Sequence, residues 1–157
     1  MRPAWNPAGC SYKLDPSSTR GPQRLNLVLK SLRVAEHLKK NALDFLEEAL
    51  SDVEKGKLNL AMFHLEQALQ LALKYVLFQL KGSFEKTHDI LELMDQVVNL
   101  TKNERLKEIR TEESTTLVAI RDSYITSRYY PYYVDKATVE KAVRVTREVL
   151  RELGLVD

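Results

Sequence analysis

The residues best suited to chemistry lie in one tyrosine-rich stretch of the chain. They are Arg121, Asp122, Tyr124, Arg128 and Tyr129. Arginine presents a planar set of N–H donors that matches a phosphate, and tyrosine presents a flat ring on which a base can stack. The combination predicts a pocket for a nucleotide or for an RNA phosphate. In the competing interpretation, Arg128 pairs with Asp122 or with a helix end, and the tyrosines only pack between two helices.

A histidine upstream of this stretch is a second candidate for chemistry. The His88 side chain titrates close to neutral pH and can therefore move a proton. The structural interpretation is that His88 helps to begin a helix and bonds a neighbouring helix, through the adjacent Asp89. The sequence leaves both interpretations open.

A third set of polar residues interrupts an otherwise apolar segment. Glu66 and Gln70 are four residues apart, as are Gln70 and Lys74, so each pair shares a helix face, with Gln67 beside them. This spacing is typical either of a buried polar ladder that crosses to Arg121 or of a solvated helix edge.

Composition excludes several other kinds of site. Cys10 is the only cysteine, so neither an intramolecular disulfide nor a cysteine-based metal site is predicted, and we expect no metal and no cofactor. No run approaches the roughly 20 apolar residues of a membrane span, and the N-terminus lacks the apolar core of a signal peptide. The formal net charge of +2 gives no general attraction for nucleic acid. We expect a cytoplasmic protein without a membrane span.

The remaining sequence predicts helices that would hold these candidates in place. Four of the five prolines lie within the first 22 residues, which predicts a flexible N-terminal arm over residues 1–23. Residues 24–157 are long enough for one domain with a core. Apolar residues recur there at steps of three and four. The first predicted helix ends at 53, and residues 25–32 either begin it or form a separate turn. The others run over 57–80, 88–100, 103 to 121 or beyond, and 136–153.

These helices predict an all-α fold, an up-and-down bundle of four to five helices. The polar run 111–116 marks a place where the fourth helix can break. Thr87 and Asp135 are the predicted N-caps of the third and fifth helices. The second helix is apolar over more than half of its circumference, which indicates either a central helix or one covered by another chain.

Three stretches of the sequence resemble the HEPN (higher eukaryotes and prokaryotes nucleotide-binding) family. They are residues 63–74 (FHLEQALQLALK), 87–90 (THDI) and 124–131 (YITSRYYP). Their order and spacing extend the resemblance over residues 34–153. It implies a helical bundle that is commonly a homodimer. Members are often encoded beside a small nucleotidyltransferase, as a toxin–antitoxin or related pair.

Active members of this family are metal-independent ribonucleases with an R-x(4-6)-H motif. The arginine holds the phosphate, and the histidine moves the proton of the ribose hydroxyl. Arg121 stands where the motif would begin, but Thr126 takes the place of the histidine, and no histidine follows His88. Threonine does not titrate near neutrality, so the family's ribonuclease chemistry is not expected.

The resemblance therefore favours a homodimeric binding module without catalysis of its own, which pairs with a nucleotidyltransferase or binds a nucleotide. Two alternatives stay open. One is an RNA-cleaving toxin of a toxin–antitoxin pair that uses Arg121 with an atypical base, His88 or Tyr124. The other is a structural protein with no ligand.

Overall fold

The computed structural model describes residues 21–83, 86–131 and 133–157. Within these ranges the chain forms six helices and no strand, so the predicted all-α bundle is confirmed. The helices are α1 (Gly21–Glu54), α2 (Leu58–Lys81), α3 (Ile90–Thr101), α4 (Glu104–Glu112), α5 (Ser114–Tyr129) and α6 (Lys136–Glu152). The predicted arm, residues 1–23, lies outside the described residues except for 21–23, which belong to the first turn of α1.

The first helix is longer than the helix it packs against. α1 has 34 residues and α2 has 24. At 1.5 Å of rise per residue, these lengths are about 51 Å and about 36 Å. The segment from Leu25 to Leu32 is part of α1, which settles a point that the sequence left open. Leu25, Leu29 and Leu32 are all exposed, and the first buried side chain of the described chain is Ala35.

The second helix is the centre of the bundle. α2 packs against α1, α3, α5 and α6. Its residues Leu65, Leu69, Leu73 and Leu77 are completely buried. A helix with apolar residues around most of its circumference is covered on most sides. The neighbours that cover it belong to the same chain, so the apolar width of α2 gives no evidence for a partner chain.

The third helix begins two residues later than the sequence predicts. Its N-cap is Asp89, whose carboxylate accepts a hydrogen bond from the Leu91 amide at 2.9 Å. Thr87, the predicted cap, accepts a hydrogen bond from the Asp89 amide at 3.2 Å instead. A carboxylate is the better cap because its charge also interacts with the positive end of the helix. For α6 the predicted cap, Asp135, is confirmed, with the Thr138 amide at 2.8 Å.

The fourth predicted helix is divided into two. Glu113 separates α4 from α5 with a backbone conformation of φ −102° and ψ 24°, outside the helical region. The break falls within the polar run 111–116, and it brings the number of helices to six rather than four or five. α5 then ends at Tyr129, two residues before Pro131, because proline cannot continue a helix.

Candidate functional site

An open cavity lies between the start of α3 and the second half of α5. Its volume is about 400 Å³. The side chains that line it are those of His88, Asp89, Arg121, Asp122, Tyr124, Ile125 and Thr126. Three of the five residues predicted for the site, Arg121, Asp122 and Tyr124, therefore lie together on one cavity.

Arg121 is held between two carboxylates. Its Nε atom donates a hydrogen bond to Asp122 Oδ1 at 3.0 Å, and its Nη1 atom lies 3.9 Å from Asp89 Oδ2. The side chain is 36% exposed, and within the described part of the chain its Nη2 atom donates no hydrogen bond. The carboxylates therefore position the guanidinium group while leaving N–H donors for an anion.

Arg128 does not line the cavity and is used for packing. Its guanidinium carbon lies 4.6 Å from the ring centroid of Tyr124, 4.9 Å from that of Tyr129 and 5.4 Å from that of Phe63. These are cation–π distances. Its Nε atom also donates a hydrogen bond to the Tyr124 carbonyl oxygen at 2.9 Å, near the end of α5. This is the helix-end pairing of the competing interpretation.

His88 connects the cavity to the central helix. Its Nδ1 atom lies 2.9 Å from Gln70 Oε1 on α2. Its ring is stacked on the ring of Tyr124, with 5.8 Å between centroids and 13° between planes. The expectation that His88 bonds a neighbouring helix is confirmed, but the contact is made by its own ring and not through Asp89.

His88 also gives the cavity an imidazole. Burial, with smaller effects from Lys74 and Lys86, lowers the pKa of His88, so the ring is neutral at pH 7. His88 and Arg121 line the same cavity although His88 precedes Arg121 in the chain. Arg121 therefore shares its cavity with a titrating group, although no histidine follows it in the sequence.

A buried carboxyl group stands behind His88. Glu66 is completely buried in α2, and its two oxygens accept hydrogen bonds from Gln67 Nε2 at 2.7 Å and from Gln70 Nε2 at 2.8 Å. Burial raises the pKa of Glu66 to about 7. The hydrogen bonds from the two amides and the positive charges of Lys74 and Arg128 act in the opposite direction and lower this pKa. Of the two interpretations of this polar set, the buried ladder is the one that the structure contains.

The ladder of polar side chains ends at His88 and not at Arg121. It was expected to cross to Arg121, but its last hydrogen bond joins Gln70 to His88. Lys74 is buried on the same helix, and burial lowers the pKa of Lys74 while the charge of Glu66 opposes this. The solvated helix edge is therefore excluded.

Three of the residues that line the cavity, Asp89, Ile125 and Thr126, were not among the predicted site residues. Ile125 and Thr126 follow Arg121 and Asp122 by four residues, which places each on the same face of α5 one turn later. Asp89 belongs to the THDI stretch. The helical spacing from Arg121 and Asp122 was the signal that could have identified Ile125 and Thr126. Thr126, which takes the place of the motif histidine, lines the cavity.

Comparison with known proteins identifies the domain. The family model for the HEPN domain matches residues 35–155, about three quarters of the chain. No curated protein matches the sequence. The match contains every residue that lines the cavity, whereas residues 21–34 of α1 precede it. Among the described helices, none is long and apolar enough to cross a membrane.

Proposed function

Because the chain belongs to the HEPN domain family, we propose that it is a binding module whose cavity between α3 and α5 holds the phosphate of a nucleotide or of RNA. Arg121 carries the proposal, since its exposed guanidinium group is held in place at a cavity of about 400 Å³. Cavities of roughly this size accommodate small ligands. Tyr124 supplies an aromatic wall, and Thr126 supplies a hydroxyl group.

The proposed site continues beyond the cavity along the end of α5. Tyr129 is 69% exposed, and the guanidinium group of Arg128 lies over its ring. An aromatic ring combined with an arginine is a platform on which a base can stack, which supports RNA as well as a mononucleotide. Asp122 would act by holding Arg121 rather than by binding the ligand.

We further propose that the module is a homodimer that pairs with a nucleotidyltransferase, as the family resemblance implies. Exposed apolar side chains on α5 and directly after it support a second copy, because Ile125 is 51% and Tyr130 is 64% exposed. Light scattering is expected to give twice the 18.1 kDa mass of one chain. A single-chain mass at all micromolar concentrations would contradict the dimer.

We expect Arg121→Ala to weaken nucleotide binding by about tenfold or more, because it removes charge-assisted hydrogen bonds to the phosphate. Calorimetric titration with AMP, ATP and inorganic phosphate measures the change. Arg105→Ala is the matched control, since Arg105 pairs with Glu108 and Glu148 on α4 and α6.

Two results would count against this proposal. One is equal affinity in Arg121→Ala and in Arg105→Ala. The other is the absence of any stabilisation by nucleotides, since a ligand at 100 times its dissociation constant adds about 2.7 kcal/mol to the free energy of unfolding. The second result would favour a structural protein without a ligand.

A second candidate function is metal-independent RNA cleavage, and one observation favours it: His88 and Arg121 line the same cavity. A neutral imidazole can take the proton of a ribose hydroxyl while arginine stabilises the charge on the phosphate. Labelled RNA incubated with the protein in the presence of a chelator tests this function. Cleavage that disappears in both Arg121→Ala and His88→Asn would replace the binding module by a ribonuclease.

A further inference from the structure

We propose that buried Glu66, acting through Gln70, holds His88 as the Nδ1–H tautomer, so that His88 Nε2 is an unprotonated acceptor at the cavity for a hydroxyl donor of the ligand. Glu66 and Gln70 are then positioning residues, since neither lines the cavity. The part concerning the ligand rests on the proposed function, whereas the part concerning the tautomer does not.

The first step is the orientation of the Gln70 amide. The oxygen and nitrogen of a glutamine amide are told apart by their hydrogen-bond partners. Here the partner is the Glu66 carboxyl, whose Oε1 atom accepts from Gln70 Nε2 at 2.8 Å. Above the Glu66 pKa of about 7 the group is mainly a carboxylate, which offers only acceptors, so at pH 7.5 the NH₂ end of Gln70 has to face it. The carbonyl oxygen of Gln70 is thereby turned towards His88.

The second step is the position of the proton on His88. Gln70 Oε1 can only accept a hydrogen bond, and it lies 2.9 Å from His88 Nδ1. This nitrogen must therefore be protonated and donate the hydrogen bond. A neutral imidazole carries one proton, which leaves Nε2 with its lone pair. The ring is neutral because burial and the neighbouring Lys74 and Lys86 lower the pKa of His88.

The third step is the direction in which Nε2 points. Nδ1 is turned towards α2, and stacking on Tyr124 fixes the plane of the ring. The opposite side of the imidazole therefore faces away from α2, and His88 is one of the residues that line the cavity. No residue in the described ranges forms a hydrogen bond with Nε2.

Together these steps define the chemistry of the ligand. The cavity presents the N–H donors of Arg121 for an anion and the Nε2 acceptor of His88 for a donor. A ribonucleotide carries both groups, a phosphate and the hydroxyls of its ribose. Inorganic phosphate lacks the ribose hydroxyls, and a dideoxynucleotide lacks them as well.

Nitrogen NMR of ¹⁵N-histidine protein at pH 7.5 tests the tautomer. The His88 signals, assigned by their loss in His88→Asn, are expected to show a protonated Nδ1 and an unprotonated Nε2. Gln70→Leu and Glu66→Leu are each expected to shift the ring towards the Nε2–H tautomer, which is the commoner form in water.

The matched control is Gln67→Leu, which removes the other amide on Glu66 without touching the path to His88. It is expected to leave the His88 tautomer unchanged. His37 and His64 make contacts elsewhere, with Asn41 and Asp52, and their unchanged signals report that each variant is folded. An Nε2–H or doubly protonated His88 in the unsubstituted protein would overturn the proposal, as would an unchanged tautomer in Gln70→Leu.

Affinity measurements test the ligand separately. The unsubstituted protein is expected to bind AMP about tenfold more tightly than its 2′,3′-dideoxy analogue, and this preference should be smaller in Gln70→Leu, where a hydroxyl group can only accept from His88. Equal affinity for the two nucleotides would overturn the assignment of a hydroxyl donor. If neither nucleotide binds, both the proposed function and the ligand assignment are wrong. If the tautomer is nevertheless as expected, the positioning role of Glu66 and Gln70 still holds.

Discussion

Leu69→Ala is expected to lower the free energy of unfolding by about 3 to 4 kcal/mol. Leu69 is completely buried in α2, which is surrounded by four other helices. Truncation there removes apolar contacts and leaves a cavity that helices packed on several sides cannot close. Urea denaturation followed by circular dichroism measures the change, which should appear as a lower midpoint at an unchanged slope.

Leu100→Ala makes the same chemical change at an exposed position. Leu100 is 51% exposed near the end of α3. Its substitution is expected to change the free energy of unfolding by less than about 0.5 kcal/mol. If the two variants lost the same stability, α2 would not be the centre of the core.

In the unsubstituted protein, titration of Glu66 is expected to lower the free energy of unfolding by about 3 kcal/mol between pH 4.5 and pH 8, and Glu66→Gln should abolish this loss. Burial raises the pKa of Glu66 from 4.5 to about 7, and each pH unit between these values corresponds to 1.36 kcal/mol. The folded state holds the proton more tightly than the unfolded state. The stabilisation is therefore complete below pH 4.5 and is lost as the pH rises through about 7. Glutamine cannot ionise and loses nothing over this range.

Urea denaturation of both proteins between pH 4.5 and pH 8 measures this effect. The variant should gain about 3 kcal/mol relative to the unsubstituted protein over the range. The titration of His88 opposes that of Glu66 but occurs in both proteins, so the comparison largely removes it. Glu108→Gln is the control, because the Glu108 side chain is 57% exposed on α4. A pH-independent difference for Glu66→Gln would show that Glu66 does not titrate in this range.

The helices and the family could be predicted from the sequence because their signals are local. Apolar residues at steps of three and four gave α2 and α6, and the polar run 111–116 contained the break at Glu113. The HEPN resemblance is confirmed over residues 35–155. The surroundings of α2 could not be predicted, because an apolar surface indicates that something covers it but not which chain does.

The candidate site was predictable only where its residues are neighbours in the sequence. Arg121, Asp122 and Tyr124 lie within one turn of α5 and line one cavity. Arg128 shares a helix face with Arg121 but lies two turns further along, about 10 Å, and its guanidinium group packs on aromatic rings. His88 was paired with Arg121 only in the alternative of an RNA-cleaving toxin, because a linear motif orders residues along one chain segment, whereas the cavity joins two helices.

The length of α1 gives a single helix two different rates of hydrogen exchange. Residues 22–34 of this helix contain no buried side chain, and so short a stretch of helix is only marginally stable without packing. Their backbone amides therefore open to solvent by local fraying, without any loss of the bundle. From Ala35 onwards the helix is packed against α2, and its buried amides exchange only when the whole domain opens.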